Sequence, residues 1–159
     1  MDKDYSLRKA NSADIEFLLE LRMETMEEHL KNANINLTID NHRERVLHNF
    51  ESAKIVLNKK ERIGLLKLLE HETHYEIEQI QIQKKHQGKG IGNKIIKGII
   101  KKAEAENISI KLSVLKNNKA QHLYERLGFK IVSKSDDSYT MIKKTDSIES
   151  KKSATSNKG

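Results

Sequence analysis

Ile80–Ala103 reads IQIQKKHQGKGIGNKIIKGIIKKA. It opens with the alternation of a strand and closes with isoleucines at helical spacing. Between them lies a turn, His86-Gln87-Gly88-Lys89-Gly90-Ile91-Gly92-Asn93. Three glycines at alternate positions remove side chains that would keep a ligand off the backbone. The turn leads into a helix start, where the first N–H groups lack intrahelical acceptors and the macrodipole favours negative charge. The segment has no Asp or Glu but seven lysines, at 84, 85, 89, 94, 97, 101 and 102. A strand, a glycine turn and a basic amphipathic helix in that order predict a phosphate cradle. The plainer reading is a solvated basic helix behind a flexible loop.

The whole chain has 159 residues and a net charge of +7, so this segment alone matches the total excess. That length suits one domain, residues 1–144, followed by a Ser/Lys-rich tail, 145–159, without pattern and expected to be disordered. Cysteine is absent, which excludes disulfides and thiolate metal sites. No apolar run approaches transmembrane length and the first ten residues carry no apolar signal region, so a cytoplasmic protein without a membrane partner is expected. Tryptophan is absent and the few Phe and Tyr do not interleave with the lysines, which argues against a nucleic-acid platform. An anionic cofactor is a sufficient partner for the basic balance.

Outward from the turn, His74–Gln83 is the strand that enters it, with Glu76, Glu78, Ile80 and Ile82 on one face by parity. Upstream, Lys54–Leu57 and Arg62–Leu69 read as strands, with a hairpin turn at Asn58–Glu61 and a bulge marked by Gly64. Tyr5–Lys9 is a first strand. Asn11 or Ser12 caps a helix whose stripe is Ile15, Leu18, Leu19, Met23, Met26 and Leu30. Its other face carries Asp14, Glu16, Glu20, Glu24, Glu27 and Glu28. Lys31–Asp40 reads as a loop, and Asp40 or Asn41 as the cap of a second helix through Phe50. Downstream, Gly98 in the basic helix is expected to permit close packing on the sheet. Ile108–Val114 is a strand, Asn117–Leu127 a short helix ended by Gly128, and Phe129–Val132 with Tyr139–Ile142 a closing hairpin. The order β-α-α-β-β-β-α-β-α-β-β predicts an α+β, mixed α/β architecture.

The P-loop pattern is absent, and the dinucleotide fingerprint fails at Asn93. What fits is Q/R-x-x-G-x-G/A, as Gln87–Gly92. A second motif follows: Asn117–Phe129 reads NNKAQHLYERLGF and fits N-x-x-A-x-x-L-Y-x-x-x-G-F. With both motifs and the element order, the chain resembles the GNAT superfamily of acetyl-CoA-dependent N-acetyltransferases from about Tyr5 to Lys144. The resemblance implies a central mixed sheet of about six to seven strands flanked by four helices. It implies acetyl-CoA as cosubstrate, with the pyrophosphate held at Gln87, Gly88, Lys89, Gly90, Ile91, Gly92 and Asn93. The family splays the strand before the turn from its neighbour, so pantetheine pairs with the backbone of Ile80, Gln81 and Ile82. It further implies that Asn117 contacts coenzyme A and that Tyr124 lies near the thioester sulfur, as general acid to the departing thiolate. The blander reading makes Asn117 a helix cap and Tyr124 a core residue. Two departures stand out: Lys84 where many members have proline, and Gln87 where arginine is commoner.

An amine must lose its proton before attack, and Glu76 and Glu78 are candidate bases, with Glu24 and Glu28 as candidate acceptor contacts. The acidic first helix suits a cationic acceptor: a polyamine, an aminoglycoside, or a lysine or N-terminal amine. His71 and His74 form an H-x-x-H pair across a predicted turn, but without a third ligand no metal is expected. Family members are often dimers, and the closing strands would offer a homodimer an edge, although no residue decides it. The alternatives are a coenzyme A-binding regulatory module that has lost catalysis and a nucleic-acid binder using the lysine stripe.

Overall fold

β1 (Ser6–Lys9) runs into a turn of 3-10 helix at Ser12–Asp14 and then α1 (Ile15–Asn32). The join is built by charge. Asn11 caps the turn through its side chain, and Asp14 reaches back to the Asn11 N–H at 2.9 Å, a capping box. Asp14 is buried and takes both guanidinium nitrogens of Arg8, at 2.8 and 2.9 Å, and Arg62 at 3.2 Å. Those hydrogen bonds, with Arg8 foremost, hold its carboxyl well below the usual range. Asp14 is therefore a buried joint and not part of an acidic solvent face, as its spacing with the glutamates suggested.

The computed structural model describes residues 5–32 and 38–145, the side chains of 26–32 excepted. The elements continue as α2 (Ile39–Leu47), β2 (Ala53–Asn58), β3 (Glu61–Glu70), β4 (His74–Ile82), α3 (Ile91–Glu106), β5 (Ser109–Leu115), α4 (Ala120–Arg126), β6 (Lys130–Lys134) and β7 (Ser138–Lys143). The expected order is realised in full. The seven strands form one mixed sheet in the order β1-β2-β3-β4-β5-β7-β6. The β1–β2, β2–β3, β5–β7 and β6–β7 pairs are antiparallel, and β4–β5 is parallel.

The described residues fall into two compact units: those up to Leu68 with Glu78–Gly92, and Leu69–Ile77 with those from Asn93 onward. In the first unit Leu18, Leu19, Leu21, Val46, Ala53, Ile55 and Leu65 make the core, with Phe17 and Phe50 packed against it. The buried face of α1 runs through Leu18, Leu19, Leu21 and Arg22, with Ile15 packed against the core; of the expected stripe Met23 is exposed, and the side chains of Met26 and Leu30 lie outside the described residues. In β3, Gly64 sits at a bulge: Val56 pairs Gly64, the next pair is Leu57 with Arg62, and Ile63 is skipped. A Cβ on Gly64 would lie 2.4 Å from the Gln81 carbonyl oxygen, so only glycine lets β4 approach there.

Three local expectations need correction. Thr38 caps α2 in a capping box with Asn41, displacing Asp40 and Asn41 as caps, and the helix ends at Leu47 before Phe50. Gly98 is exposed on α3, so it does not mark a close approach to the sheet. Asn118, not Asn117, accepts the Ala120 N–H at 2.9 Å at the start of α4. Of the expected tail, Thr145 is described and is buried; 146–159, like 33–37 in the expected loop, lie outside the described residues.

Candidate active site

The strand leading into the glycine turn is closely held. The ladder between β4 and β5 covers His74–Ile77 against Ser109–Leu112. Glu78–Ile82 belongs to the first unit, where the Gln83 N–H donates to the Ile63 carbonyl at 2.8 Å. Lys84–His86 then make one turn of 3-10 helix in place of the family's proline. The family pattern puts Gln87 at the phosphate. Its amide instead donates to the Ile82 carbonyl at 2.8 Å, clasping the turn to the strand end. His86 is buried beneath, with Glu61 at 3.7 Å from its Nε2.

Gly88 and Gly90 have φ of +79° and +80°, the left-handed region in which a side chain is strained. The last turn hydrogen bonds are those of the His86 and Gln87 N–H groups. The N–H groups of Gly88, Lys89 and Gly90 make no backbone hydrogen bond among the described residues. A Cβ at Gly88, Gly90 or Gly92 would meet no atom within 4 Å, so the space over the turn is open. α3 begins at Ile91 with no acidic residue in its first turn. Ile91 itself is buried, so it offers the turn only its backbone. Such a turn presents amide hydrogens and a helix N-terminus to an anion. On β4, Ile80 is half-buried. Gln81 and Ile82 are buried, and Gln81 Oε1 has no hydrogen-bond partner among the described residues, an arrangement that costs about 1–3 kcal/mol where it stays dry.

Glu78 lies in the same unit. Its carboxylate accepts from Asn49 Nδ2 at 2.7 Å and lies 3.4 Å from His48 Nε2. These two partners follow α2, and Lys67 sets their place. Lys67 is fully buried in β3, and its ammonium donates to the carbonyls of Arg45, Val46 and His48 at 2.9, 2.9 and 2.5 Å. It satisfies carbonyls that the end of α2 leaves orphaned, where the dipole favours a cation. Burial pushes its pKa down, and Glu78 opposes that shift. Asn49 has φ of +53°, a conformation Asn tolerates, which turns its amide onto Glu78. Asn49, His48 and Lys67 have no sequence signature, since Asn49 and Glu78 are 29 positions apart.

On α1, Glu16, Glu20 and Glu24 are exposed; the side chains of Glu27 and Glu28 lie outside the described residues. The buried charge here is basic. Arg22, only 5% exposed, donates from Nε to His42 Nδ1 at 3.0 Å, and burial lowers its pKa to about 10.

The remaining expected residues lie in the second unit. Tyr124 on α4 is 6% exposed, and its ring is 5.7 Å from that of Phe129 at 58°. Burial pushes its pKa up to about 12, so it is protonated at neutral pH. Among the described residues its hydroxyl makes no hydrogen bond, and it is not sealed from solvent. Gly128, at φ +101°, ends the helix and lets the Phe129 N–H return to the Tyr124 carbonyl at 3.0 Å. Asn93 is half-buried in the first turn of α3, and Asn117 is exposed with no hydrogen bond among the described residues. Glu76, the other candidate base, is 3.4 Å from His71 Nε2. Sequence parity put Glu76 and Glu78 on one face; their partners differ entirely.

Residues 24–139 match the family profile described as Acetyltransferase (GNAT) domain. Among curated proteins none matches the chain in sequence. Solved structures with the same fold include the PaiA N-acetyltransferase of Thermoplasma acidophilum in complex with coenzyme A. That structure is 19% identical, with a TM-score of 0.70 over 89% of this chain and 99% of its own. A GNAT acetyltransferase of Bacillus anthracis is 17% identical, with a TM-score of 0.68 over 89% and 95%. Aminoglycoside 6'-acetyltransferase type Ii is 18% identical, with a TM-score of 0.63 over 88% and 96%. No described helix is long and apolar enough to cross a membrane.

Proposed function

Because the chain belongs to the GNAT family of acetyltransferases, we propose that it transfers the acetyl group of acetyl-CoA to a primary amine by direct attack. The observation that carries this reading is the glycine turn, with its left-handed Gly88 and Gly90, unbonded N–H groups and open approach at the start of α3. Gln87 serves the pyrophosphate indirectly, by holding the turn, and Lys89 and the amides of Gly88–Asn93 bind it. The backbone of Ile80, Gln81 and Ile82 pairs with pantetheine as an added strand. Asn117, exposed and unbonded, is a further coenzyme A contact.

The reaction asks for an uncharged amine, stabilisation of a tetrahedral oxyanion, and a proton for the thiolate. Holding the two reactants together supplies much of the rate. Glu78, oriented by Asn49 and His48, is the better placed base, because its partners fix one carboxylate geometry. A backbone N–H near Ile82 serves the oxyanion. Tyr124 keeps its proton at neutral pH and gives it to the departing sulfur. The exposed glutamates of α1, Glu24 among them, favour a cationic acceptor such as a polyamine, an aminoglycoside or a lysine side chain.

The test is thermal unfolding with acetyl-CoA, coenzyme A or ATP, followed by thiol release with spermidine or a neutral amino acid as acceptor. A ligand at a hundred times its dissociation constant stabilises by about 2.7 kcal/mol. Stabilisation by both coenzyme A forms but not ATP, with thiol released faster for spermidine, is the expected outcome. Stabilisation without thiol release from any amine would leave a coenzyme A-binding module. No stabilisation would remove the glycine turn as the site.

A further inference from the structure

We propose that His71, on the turn that joins β3 to β4, and His74 and Glu76, at the start of β4, bind a divalent cation of the zinc type. All three residues lie within the second unit. The His71 N–H donates to the His74 carbonyl at 3.0 Å, closing a turn with only Glu72 and Thr73 between them. That closure sets the two imidazoles side by side, with centroids 4.6 Å apart and planes 31° apart. Glu76 is two positions beyond His74 on β4 and so shares its face, while Tyr75 and Ile77 are buried on the other. One donor atom from each residue lies within 4.8 Å of the other two.

The geometry suits a tetrahedral ion. Donors bound to zinc at about 2.0–2.1 Å are roughly 3.4 Å apart. His71 Nε2 and Glu76 Oε1 already stand at 3.4 Å. Bringing His74 to the same spacing takes a side-chain movement on the order of 1 Å, within reach of half-exposed rings. The Thr73 hydroxyl lies 3.1 Å from His74 Nδ1. A partner on one ring nitrogen orients the imidazole and leaves the other, Nε2, for metal. The Lys102 ammonium, which would compete for a carboxylate, is engaged by Glu70 and sits 5.4 Å over the Tyr75 ring. Two imidazoles and one carboxylate select zinc, cobalt or nickel over magnesium or calcium and leave a fourth position for water. The third ligand was present in the sequence, two residues after His74, and is recognised only when His71 is seen to close onto that strand.

The experiment is a zinc titration of the full tag-free chain, stripped with chelator, in competition with a chromogenic chelator. Wild type is expected to bind one equivalent of Zn2+, unaffected by excess Mg2+. His71→Ala and Glu76→Gln should each weaken that binding at least about tenfold. His122→Ala, which alters an exposed histidine on α4, should bind as wild type does. Circular dichroism on each variant separates a lost ligand from a lost fold, and Glu76→Gln preserves the side-chain volume. Absence of stoichiometric zinc binding, or equal affinity in wild type, His71→Ala and Glu76→Gln, would overturn the proposal and leave His71 and Glu76 a simple ion pair.

Discussion

In the turn at Gly88–Gly92 the three glycines offer backbone alone, and a Cβ added at any of them would meet open space. In Asn117–Phe129 the opposite holds: Tyr124 is buried against Phe129, and α4 is closed by a left-handed glycine. Binding and stability are therefore separable in the first region and entangled in the second. A residue placed in the turn changes what can approach, whereas a change at Tyr124 touches the core and the chemistry together.

Gly92→Asp breaks the comparison most sharply. Gly92 is helical and has no left-handed φ, so aspartate fits without strain, and its charge near the α3 N-terminus is mildly stabilising. Coenzyme A affinity should fall by roughly a hundredfold or more, since apposed like charges cost several kcal/mol. The melting temperature of the free protein should hold or rise slightly. Isothermal titration with parallel melts checks both, and unchanged affinity would show that phosphate does not approach there.

Tyr124→Phe should lower turnover by about one to three orders of magnitude while coenzyme A affinity stays near wild type. The same variant has a stability signature. Below about pH 10, folded and unfolded chains both keep the tyrosine proton, so its contribution is fully present. Between about 10 and 12 only the unfolded chain ionises, and wild type should lose about 2–3 kcal/mol that the phenylalanine variant retains. Urea midpoints across that window read it, and parallel curves for the two proteins would mean that burial does not hold the hydroxyl neutral.

The smallest effect sharpens the contrast within the turn. Gly88→Ala forces a Cβ into the left-handed region and should cost about 1–2 kcal/mol, whereas Gly92→Ala should cost nothing measurable. Equal melts for the two would mean that Gly88 does not need its conformation.

Much of this was legible before any fold. The strand, turn and helix around Gly88, the capping role of Asn11, the bulge at Gly64 and the helix stop at Gly128 all follow from local rules. Glycine, Asn and alternating isoleucines act through their own backbone and nearest turns, so a short window contains the whole cause. Burial broke that logic at three charges, Arg22, Lys67 and Asp14. Arg22 stands on the inward face of α1, and Lys67 lies inside an apolar strand, because each meets a partner brought in by another element. Asp14 left the acidic face for the same reason, drawn inward by Arg8 and Arg62.

Local pattern thus carried the element order, the glycine turn and the Tyr124 motif, since spacing and side-chain type encode each within about a dozen residues. Long-range packing alone assigned Glu78 to Asn49 and His48. Glu76 with His71 and Gln87 with the Ile82 carbonyl are five positions apart, and the path of the backbone between them, not the spacing, made those pairs. A hydrogen bond depends on where two atoms meet in space, and residues as far apart as Asn49 and Glu78 meet only after the sheet has formed.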